Sequence, residues 1–379
     1  MKIYYVVNAR MPNEKAHAIQ IGKMCEAFIE AGADLTLVVP NRGETESLQS
    51  YYKLRVDVPL VRLPVLNLYY RFGRAGYALS SASFMVSYAL YMLWKKLTGE
   101  RFALYTVDMD TFSFAVLPFL GRSYIEIHGP KPATGVLRFL FPRMRFVAIS
   151  EGVWHMLKEI FMVSPEHILV ESNGVDIGQF ALSVTKEEAR AQLGILPGPP
   201  LLIYVGRFYQ WKGLEILPAA VDQLTEFICY AVGGSEETFL EVTKRAALPP
   251  NMHIVEGVPF DKVPLWLAAA DALLVIGTKR SESSNRYGPP MKIFEYLASR
   301  RPVIIGGTPV MRSLVSPEEV SFYEPDDAES LARVVREVLK EKEKSKTMSA
   351  RGYEAAQRHS WRARAERILA FIQAQEKVQ

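Results

Sequence analysis

The chain has 379 residues, of which 49% are hydrophobic and 23% are charged. This length and composition indicate two globular domains of ordinary size, and they exclude a long disordered arm, a collagen-like repeat and a disulfide scaffold. The 45 basic and 41 acidic residues leave a net charge of +4, which is too small to indicate a nucleic-acid partner.

Short apolar runs alternate with helical segments in the first half of the chain. The apolar and β-branched runs predict strands at 2–8, 35–39, 60–64, 102–107, 122–127, 145–149 and 167–170. The segment 14–31 predicts an amphipathic helix that ends at Gly32. The two cysteines, Cys25 and Cys229, lie in apolar segments and are expected to be small core residues in a reducing compartment.

Residues 75–94 form an uncharged run followed by two lysines, so a membrane-spanning helix has to be considered. Four serines and three tyrosines in this run lower its hydrophobicity below that of a typical span. Phe84, Tyr88 and Tyr91 recur at helical spacing, which predicts a helix packed into a protein core. The apolar run at residues 3–7 is too short for the core of a signal peptide, and we expect a cytoplasmic protein.

The alternation starts again after the proline- and glycine-rich segment 197–200, which is the best linker candidate in the chain. Strands are predicted at 201–205, 227–232, 252–256, 272–276 and 302–305. Helices are predicted from about residue 212, at 235–246, 261–269 and 290–299, and over most of 326–376.

This order of elements predicts an α/β fold with two Rossmann-like domains that face each other across a cleft. The expected domains are 1–176 and 177–358, with a terminal helix at 359–379 that packs back toward the first domain. Ligands of such sheets bind beyond the carboxyl ends of the strands, so the loops after those ends are the places to search.

Two stretches of the first domain are basic. Residues 53–101 carry a net charge of +6 and residues 122–145 carry +4. One interpretation is a solvated face; the other is a surface for an anionic partner, which is favoured where aromatic and aliphatic residues interleave with the charges. The arginines that would contact an anionic membrane or acceptor are Arg71, Arg74, Arg138 and Arg143.

Three loops of the second domain have the composition of phosphate or nucleotide sites. After the strand at 201–205, Arg207 and Lys212 could bind a pyrophosphate, or they could be two ordinary exposed cations. The glycine pair at 233–234 follows the next strand, although a lone glycine pair is weak support. The helix predicted at 290–299 could present its amino terminus to an anion, with Glu295 accepting hydrogen bonds from ribose hydroxyls.

The first domain offers fewer reactive groups. His128 follows a predicted strand and precedes Gly129 and Pro130, so its ring could face a ligand, whereas a lone histidine is more often structural. Asp108 and Asp110 form an Asp-x-Asp pattern that is predicted to end a strand and cap the next helix rather than to bind a metal.

The sequence lacks the motifs of several other chemistries. It contains no G-x-x-x-x-G-K-[ST] loop, no G-x-S-x-G elbow, no C-x-x-C pair and no H-E-x-x-H. The loop after the first strand also lacks G-x-G-x-x-G, which argues against a nicotinamide or flavin enzyme.

Taken together and in this order, the segments resemble a retaining glycosyltransferase of the GT-B fold, family 4 (group 1). The resemblance covers nearly the whole chain. It rests on PNEKAHAIQ at 12–20, EIHG at 126–129, SNGVD at 172–176, GRFYQWKG at 206–213, GG at 233–234, GVP at 257–259 with AAD at 269–271, and PMKIFEYLA at 290–298.

The resemblance implies a role for each matching residue. Arg207 and Lys212 would hold the donor diphosphate and stabilise it as it leaves, and His128 would lie near the donor sugar and the acceptor. The remaining donor-binding positions would be Ala18, Gly233, Gly234, Val258, Pro290, Met291, Lys292 and Glu295. In these assignments Val258 contacts the base, Glu295 binds the ribose, and Met291 and Lys292 offer backbone N–H groups.

Two positions depart from the family pattern. Ala18 stands where many members have glycine, which suggests a slightly different loop. The family has two glutamates separated by seven residues; Glu295 matches the second, but Tyr287 occupies the position of the first. Recognition of the donor sugar's hydroxyls is therefore in question, and Glu282 is a candidate substitute.

The resemblance implies transfer of a sugar from a UDP- or GDP-sugar to a hydroxyl of a glycan or lipid-linked acceptor, with retention and without a metal or other cofactor. Such a reaction fits cell-surface polysaccharide or glycolipid synthesis by a cytoplasmic protein that can sit on the inner face of the cell membrane. The alternatives are a sugar-nucleotide epimerase or hydrolase of the same fold, and a non-catalytic subunit that binds a nucleotide sugar.

Overall fold

The computed structural model describes residues 2–377, without the side chains of residues 69–71 and 111–112. The chain divides into two compact units. Unit 1 holds the residues up to Glu171 together with those from Trp361 onward, and unit 2 holds Ser172–Ser360. Each unit has a parallel sheet with connecting helices, so the predicted α/β class with two Rossmann-like domains is confirmed.

The sheet of unit 1 has seven strands, all parallel to their neighbours. They are β1 (Lys2–Val6), β2 (Asp34–Pro40), β3 (Leu60–Leu63), β4 (Phe102–Val107), β5 (Arg122–Ile127), β6 (Arg145–Ala148) and β7 (Ile168–Val170). Their order in the sheet is β3-β2-β1-β4-β5-β6-β7. The order reverses between β1 and β4, and crevices beyond such a reversal are where ligands of open α/β sheets bind.

The sheet of unit 2 has six parallel strands. They are β8 (Leu201–Val205), β9 (Ile228–Val232), β10 (Met252–Val255), β11 (Ala272–Val275), β12 (Val303–Gly306) and β13 (Ser321–Tyr323). Their order is β10-β9-β8-β11-β12-β13, with the reversal between β8 and β11. Strand β13 is not among the strands predicted from the sequence, because three residues are too few to show a periodic pattern.

The helices connect these strands in chain order. They are α1 (Ala16–Glu30), α2 (Leu48–Tyr52), α3 (Tyr69–Leu97), α4 (Thr111–Leu120), α5 (Gly135–Leu140), α6 (Glu151–Glu159), α7 (Ile177–Phe180), α8 (Lys186–Gln192), α9 (Ile216–Val221), α10 (Glu236–Thr243), α11 (Val263–Ala269), α12 (Lys292–Ala298), α13 (Pro309–Arg312), α14 (Ala328–Lys340), α15 (Lys342–Arg358) and α16 (Trp361–Lys377). Helix α16 packs against α1 in unit 1.

The strands of unit 2 bury both faces, as expected for a parallel sheet covered by helices. Along β8, Leu201 and Ile203 pack into one hydrophobic core with α11 and α12, while Leu202 and Tyr204 pack into a second core with α9 and α14. Cys229 belongs to the second of these cores, and Cys25 is buried in α1 of unit 1. Both cysteines are therefore core residues with free thiols, as predicted.

The chain passes between the units at residues 171–172 and 360–361, whereas the sequence predicts limits at 176 and 358. Residues 172–176 pair within unit 2: the Oγ of Ser172 lies 3.2 Å from Nδ1 of His359, and the Val175 N–H donates to the His359 carbonyl at 3.0 Å. The linker candidate 197–200 also lies inside unit 2, where the Pro200 carbonyl accepts from the N–H of Ile228 at 3.0 Å.

The predicted helix at 75–94 is the central part of α3. Phe84 and Tyr88 are fully buried, as the helical spacing predicted, and α3 packs on α4 and β3. The same helix also has an exposed apolar side, which the sequence analysis did not anticipate. Over residues 2–377, the helices include none with the length and apolar character that crossing a bilayer would require.

Candidate functional site

Two of the predicted diphosphate-binding cations, Arg207 and Lys212, lie in the loop after β8. The strand is followed by Gly206, whose φ of +147° is a backbone conformation that favours glycine. Arg207 comes next and is exposed. A 3-10 turn over Gln210–Lys212 then folds the loop back, so that Lys212 Nζ donates to the carbonyl of Arg207 at 2.8 Å. Gly213 closes the turn in the left-handed αL conformation.

Helix α12 brings a third cation, Lys292, to the end of β8. Lys292 Nζ donates to the Val205 carbonyl at 3.3 Å and lies 3.8 Å from the centre of the Tyr204 ring, a cation–π contact. The Tyr296 hydroxyl holds the same backbone, accepting from the Val205 N–H at 2.8 Å and donating to its carbonyl at 3.1 Å. Tyr296 thus fixes α12 to the strand, a positioning role that the sequence analysis missed.

Lys212 and Lys292 crowd the same glycine without a carboxylate partner. A Cβ added to Gly206 would lie 3.5 Å from Lys212 Nζ and 3.6 Å from Lys292 Nζ. Neither lysine forms an ion pair with any Asp or Glu in the part of the chain that the structure describes. Such partly buried cations, left without counter-charge at the carboxyl end of a strand, are suited to bind an anion.

The pKa values of Lys212, Lys292 and Glu295 agree with the lack of carboxylate partners for the two lysines. Burial, with Arg207 nearby, lowers the pKa of Lys212 to about 8. Burial and the charge of Lys212 lower the pKa of Lys292 well below its usual range. Burial raises the pKa of Glu295, one turn along α12, to about 7, against the opposing effect of Lys292. A bound anion would favour the protonated lysines and so reverse the shifts of Lys212 and Lys292.

The predicted glycine pair and base-contacting loop follow the adjacent strands. A Cβ on Gly233 would lie 2.3 Å from the carbonyl oxygen of Gly206, and one on Gly234 would lie 2.8 Å from the Phe208 ring. These glycines therefore let the loops after β8 and β9 pack closely, and their contact with donor stays a prediction. Val258 follows β10, is half-buried and packs on the core of unit 2.

Helix α12 starts at Lys292, so two of the predicted donor-binding residues, Pro290 and Met291, lie just before it and are half-buried. The Pro290 carbonyl accepts from the N–H of Ile293 at 3.3 Å. The contacts predicted between this backbone and a phosphate or sugar stay a prediction.

Tyr287, which occupies the position of the missing glutamate, ends a π-helical turn over Ser283–Tyr287. Its side chain interacts with Glu282: burial first, then the charge and hydrogen bond of Glu282, raise the pKa of the Tyr287 hydroxyl. The structure therefore brings the candidate substitute, Glu282, to the residue that replaces the expected carboxylate.

In unit 1, His128 lies between two carboxylates. Its Nε2 is 2.5 Å from Oε1 of Glu126, and its Nδ1 is 3.9 Å from Oδ2 of Asp108. Gln20 on α1 donates to the same Glu126 oxygen at 2.8 Å. The imidazole ring is one fifth exposed and lies 6.4 Å from the ring of His17. The ring is thus held in one orientation while part of it remains accessible.

Arg364, on α16, completes this cluster and was missed by the sequence analysis. Its Nη2 donates to Oε1 of Glu126 at 2.7 Å, and both side chains are fully buried. The Tyr105 hydroxyl donates to the second oxygen of the same carboxylate. Burial alone would raise the pKa of Glu126, but Arg364 and His128 hold it well below its usual range. The Arg364 pKa is correspondingly raised, chiefly by Glu126, despite burial.

The Asp-x-Asp pattern has the structural role that the sequence predicts. Asp110 is the N-cap of α4, where its carboxylate accepts from the Ser113 N–H at 3.1 Å. Asp108 accepts from Lys131 Nζ at 2.7 Å; burial would raise its pKa, but His128 and Lys131 lower it. Residues 2–377 contain no group of three or more His, Cys, Asp or Glu side chains that could hold a metal ion.

The other predicted positions of unit 1 differ in exposure. Ala18 is buried in the first turn of α1. Arg74, Arg138 and Arg143 are exposed, and Arg143 stacks 4.0 Å from the centre of the Phe139 ring. The side chain of Arg71 lies outside the described residues.

One family of known proteins matches a segment of unit 2. Residues 185–355 match the family described as "Glycosyl transferases group 1". The chain is 28% identical over 244 residues to a D-inositol 3-phosphate glycosyltransferase from Segniliparus rotundus, covering 61% of this chain and 52% of that protein. It is 29% identical over 165 residues to the putative teichuronic acid biosynthesis glycosyltransferase TuaC from Bacillus subtilis, covering 43% and 39%. The match thus spans about half the length, or less, of these relatives.

Solved structures resemble the whole chain. The sucrose-phosphate synthase from Thermosynechococcus elongatus has a TM-score of 0.75 at 17% identity, covering 100% of both chains. HepE from Anabaena, in complex with UDP-glucose, has a TM-score of 0.71 at 16% identity, covering 99% of this chain and 100% of that one. Identities this low establish the fold alone, and that fold is the predicted one. Residues 185–355 therefore match the glycosyltransferase group 1 family, and the two Rossmann-like units have the fold of GT-B glycosyltransferase structures.

Proposed function

We propose that the chain is a retaining, family 4 glycosyltransferase, which moves a sugar from a nucleoside-diphosphate sugar to a hydroxyl of a glycan or lipid-linked acceptor. The observation that carries the proposal is the group of Arg207, Lys212 and Lys292 around Gly206, inside the glycosyltransferase group 1 domain. Two of these cations are half-buried and lack carboxylate partners within the described residues. A diphosphate would supply the missing negative charge.

The same cations explain how the bond to the diphosphate would break. Negative charge grows on the departing diphosphate in the transition state, and preorganised cations stabilise it without reorganisation. The acceptor oxygen bonds to the anomeric carbon on the face that the diphosphate leaves, the bond between that carbon and the diphosphate breaks, and the hydroxyl proton passes to the departing diphosphate. Attack on this face gives retention of configuration. The three cations would match the charge of the leaving group, so the proposed reaction uses no metal or other cofactor.

The other polar groups have separate roles in this proposal. Glu295, whose pKa near neutrality leaves it able to accept or donate, binds the ribose hydroxyls. Glu282 with Tyr287 takes over recognition of the donor sugar from the absent first glutamate. In unit 1, His128 hydrogen-bonds a sugar hydroxyl with a ring fixed by Glu126.

The donor is proposed to be a UDP- or GDP-sugar. HepE, one of the similar structures, was solved with UDP-glucose, which favours testing UDP-glucose first. The names of the curated relatives contain an inositol phosphate and teichuronic acid, so a polysaccharide or glycolipid of the cell surface is the acceptor class to test. Arg74, Arg138 and Arg143 are proposed to contact an anionic acceptor or membrane from the cytoplasmic side.

The test is turnover of a panel of UDP- and GDP-sugars with and without acceptors, followed by identification of the products. We expect transfer products with a retained anomeric centre, and a loss of at least about tenfold in kcat/KM for Arg207→Ala and Lys212→Ala. Lys346→Met, which removes an exposed lysine of unit 2, is the matched control and should be unaffected.

Three outcomes would overturn the proposal. Conversion of donor without any acceptor would indicate the epimerase or hydrolase. Binding of a nucleotide sugar without turnover over the whole acceptor panel would indicate a non-catalytic subunit, for which Tyr287 is the motivating residue. Unchanged turnover in both Arg207→Ala and Lys212→Ala would show that the site assignment is wrong.

A further inference from the structure

Helix α3 has two apolar sides, and only one of them is covered. Phe84, Tyr88 and Met92 face inward and are fully buried, in a helix that packs on α4 and β3. On another side, large apolar residues are 45% to 77% exposed. They are Leu79, Val86, Leu90, Leu93, Trp94 and Leu97.

These exposed residues lie along one side of the helix and are called the stripe below. From Leu79 to Leu97, five of these residues follow one another at spacings of seven, four, three and four residues, which places them on the same side of a helix. Trp94 lies beside them. The stripe extends about 27 Å along the helix at 1.5 Å per residue. Soluble proteins expose single apolar side chains freely, but five aligned residues with Trp94 beside them mark an interaction surface.

The charged residues of the helix that carries the stripe are all basic. Residues 58–99 contain no Asp or Glu, while Arg74 precedes the stripe and Lys95 and Lys96 lie at its carboxyl end. Lys95 pairs with Glu100 at 3.3 Å, whereas Arg74 and Lys96 are exposed. A partner that covers the stripe therefore meets apolar groups along its length, with the exposed Arg74 before the stripe and the exposed Lys96 at its carboxyl end.

We infer that this stripe inserts into the interfacial region of an anionic lipid bilayer, with α3 lying in the plane of the membrane. An amphipathic helix with leucines and a tryptophan on its apolar side and flanking basic residues has the composition of such interfacial helices. Acyl chains cover the leucines, and acidic headgroups pair with Lys96 and Arg74. The helix lies on the bilayer without spanning it, in agreement with its modest hydropathy.

A related combination of side chains occurs on α5. Val136 and Phe139 are exposed there, next to the exposed Arg138, and α4 packs against both α3 and α5. The carboxyl end of α4 adds Phe119, which is 74% exposed. These side chains extend the set of exposed apolar and basic groups over three successive helices of unit 1.

Co-sedimentation with vesicles tests this inference. The full chain is mixed with vesicles of equal parts phosphatidylcholine and phosphatidylglycerol, and separately with pure phosphatidylcholine. We expect binding to the anionic vesicles that persists in part at 0.5 M NaCl, because the apolar contribution is not screened by salt. The double variant Leu90→Gln/Leu97→Gln should bind at least about tenfold less, because polar groups replace two inserted leucines.

A second double variant is the matched control for Leu90→Gln/Leu97→Gln. Met162→Gln/Leu196→Gln removes two exposed apolar residues elsewhere, which are 73% and 83% exposed, and should bind vesicles like the wild type. Thermal unfolding of both double variants checks that folding is intact. Trp94 offers a second measurement, since a blue shift of its fluorescence on vesicles should disappear in Trp94→Phe.

The inference is independent of the proposed reaction, and the outcomes separate the two. Arg207→Ala should keep vesicle binding even if it loses turnover. Equal binding by Leu90→Gln/Leu97→Gln and wild type, or complete release by 0.5 M NaCl, would overturn the insertion of the stripe. A wild-type dimer in solution that Leu90→Gln/Leu97→Gln converts to monomer, without vesicle binding, would assign the stripe to a second copy of the chain instead.

Discussion

Two charged clusters, one in each unit, are built in opposite ways. In unit 1, the Glu126 carboxylate is enclosed and fully paired, with Arg364, His128, Gln20 and Tyr105 all directed at its two oxygens. In unit 2, Lys212 and Lys292 lie beside Gly206, and the charge of Glu295 acts on Lys292.

The pKa values follow from this difference. In the paired cluster, each charge stabilises the other, so the pKa of Glu126 is low and that of Arg364 is high. In the open cluster, burial dominates, so the pKa of Lys212 falls to about 8 and that of Glu295 rises to about 7. Charges that are paired within the protein stabilise the fold, whereas a cluster with excess positive charge is suited to bind an anionic ligand.

The largest expected effect is on stability, in the paired cluster. Arg364→Met leaves Glu126 buried without its main counter-charge, and we expect the free energy of unfolding to fall by about 3–5 kcal/mol. Urea denaturation measures this change. The matched control is Arg362→Met on the same helix, which breaks an exposed pair with Glu366 and should cost less than about 0.5 kcal/mol. Equal losses in the two variants would remove the distinction between the clusters.

In the open cluster, the expected effects on stability and binding have opposite signs. Lys292→Met removes a half-buried cation that has no ion-pair partner among the described residues, so the free energy of unfolding should rise by about 1 kcal/mol. The same substitution should weaken nucleoside-diphosphate binding by about tenfold to a hundredfold. Calorimetric binding and urea denaturation of one protein sample give both values. A loss of stability would mean that Lys292 is a structural residue.

The pH dependence of stability distinguishes the clusters further. Because the pKa of Lys212 is about 8 in the folded chain and 10.5 ordinarily, the unfolded chain binds more protons between these values. The free energy of unfolding should therefore rise between pH 8 and pH 10.5, on the order of 1 kcal/mol after screening by solvent. Urea denaturation at pH 7.5 and 9.5 should show a smaller rise in Lys212→Met. Identical pH profiles would show that Lys212 titrates normally.

The smallest expected effect concerns an acidic residue outside both clusters. Asp110→Ala removes the N-cap of α4 and should lower the free energy of unfolding by about 1 kcal/mol. Asp110→Asn keeps a capping oxygen and should retain most of the stability. If Asp110→Asn instead abolished turnover in a metal-dependent assay, the Asp-x-Asp pattern would have a catalytic role.

The fold and part of the cluster in unit 2 could be predicted from the sequence. Strong periodic elements, such as α1 and the strands that bury both faces, were visible because apolar spacing is a local property. The loop of Arg207 and Lys212 was visible because glycines and cations follow a strand. That Lys212 and Lys292 lack a carboxylate partner could not be predicted from the sequence, since it depends on which side chains α12 brings to β8.

The paired cluster was hidden for a related reason. Glu126 and Arg364 are 238 residues apart, and only the packing of α16 in unit 1 brings them together. One signal in the sequence does indicate a buried partner for Arg364. Arg364 lies on the side of α16 whose other members, Trp361, Ala365, Ile368 and Ile372, are buried, and an arginine on an apolar side indicates a buried partner. The exposed stripe of α3 could not be separated from its buried side without the contacts of α4.

The central claim is that the open cluster of unit 2 binds the diphosphate of a nucleotide sugar. Isothermal titration of UDP and of GDP into the wild type, Lys212→Ala and Lys346→Met at pH 7.5 tests it most directly. We predict that one of the nucleotides binds the wild type and Lys346→Met equally, and that Lys212→Ala binds it at least about tenfold more weakly. Equal affinities in all three proteins, or no binding of either nucleotide to the wild type, would contradict the claim.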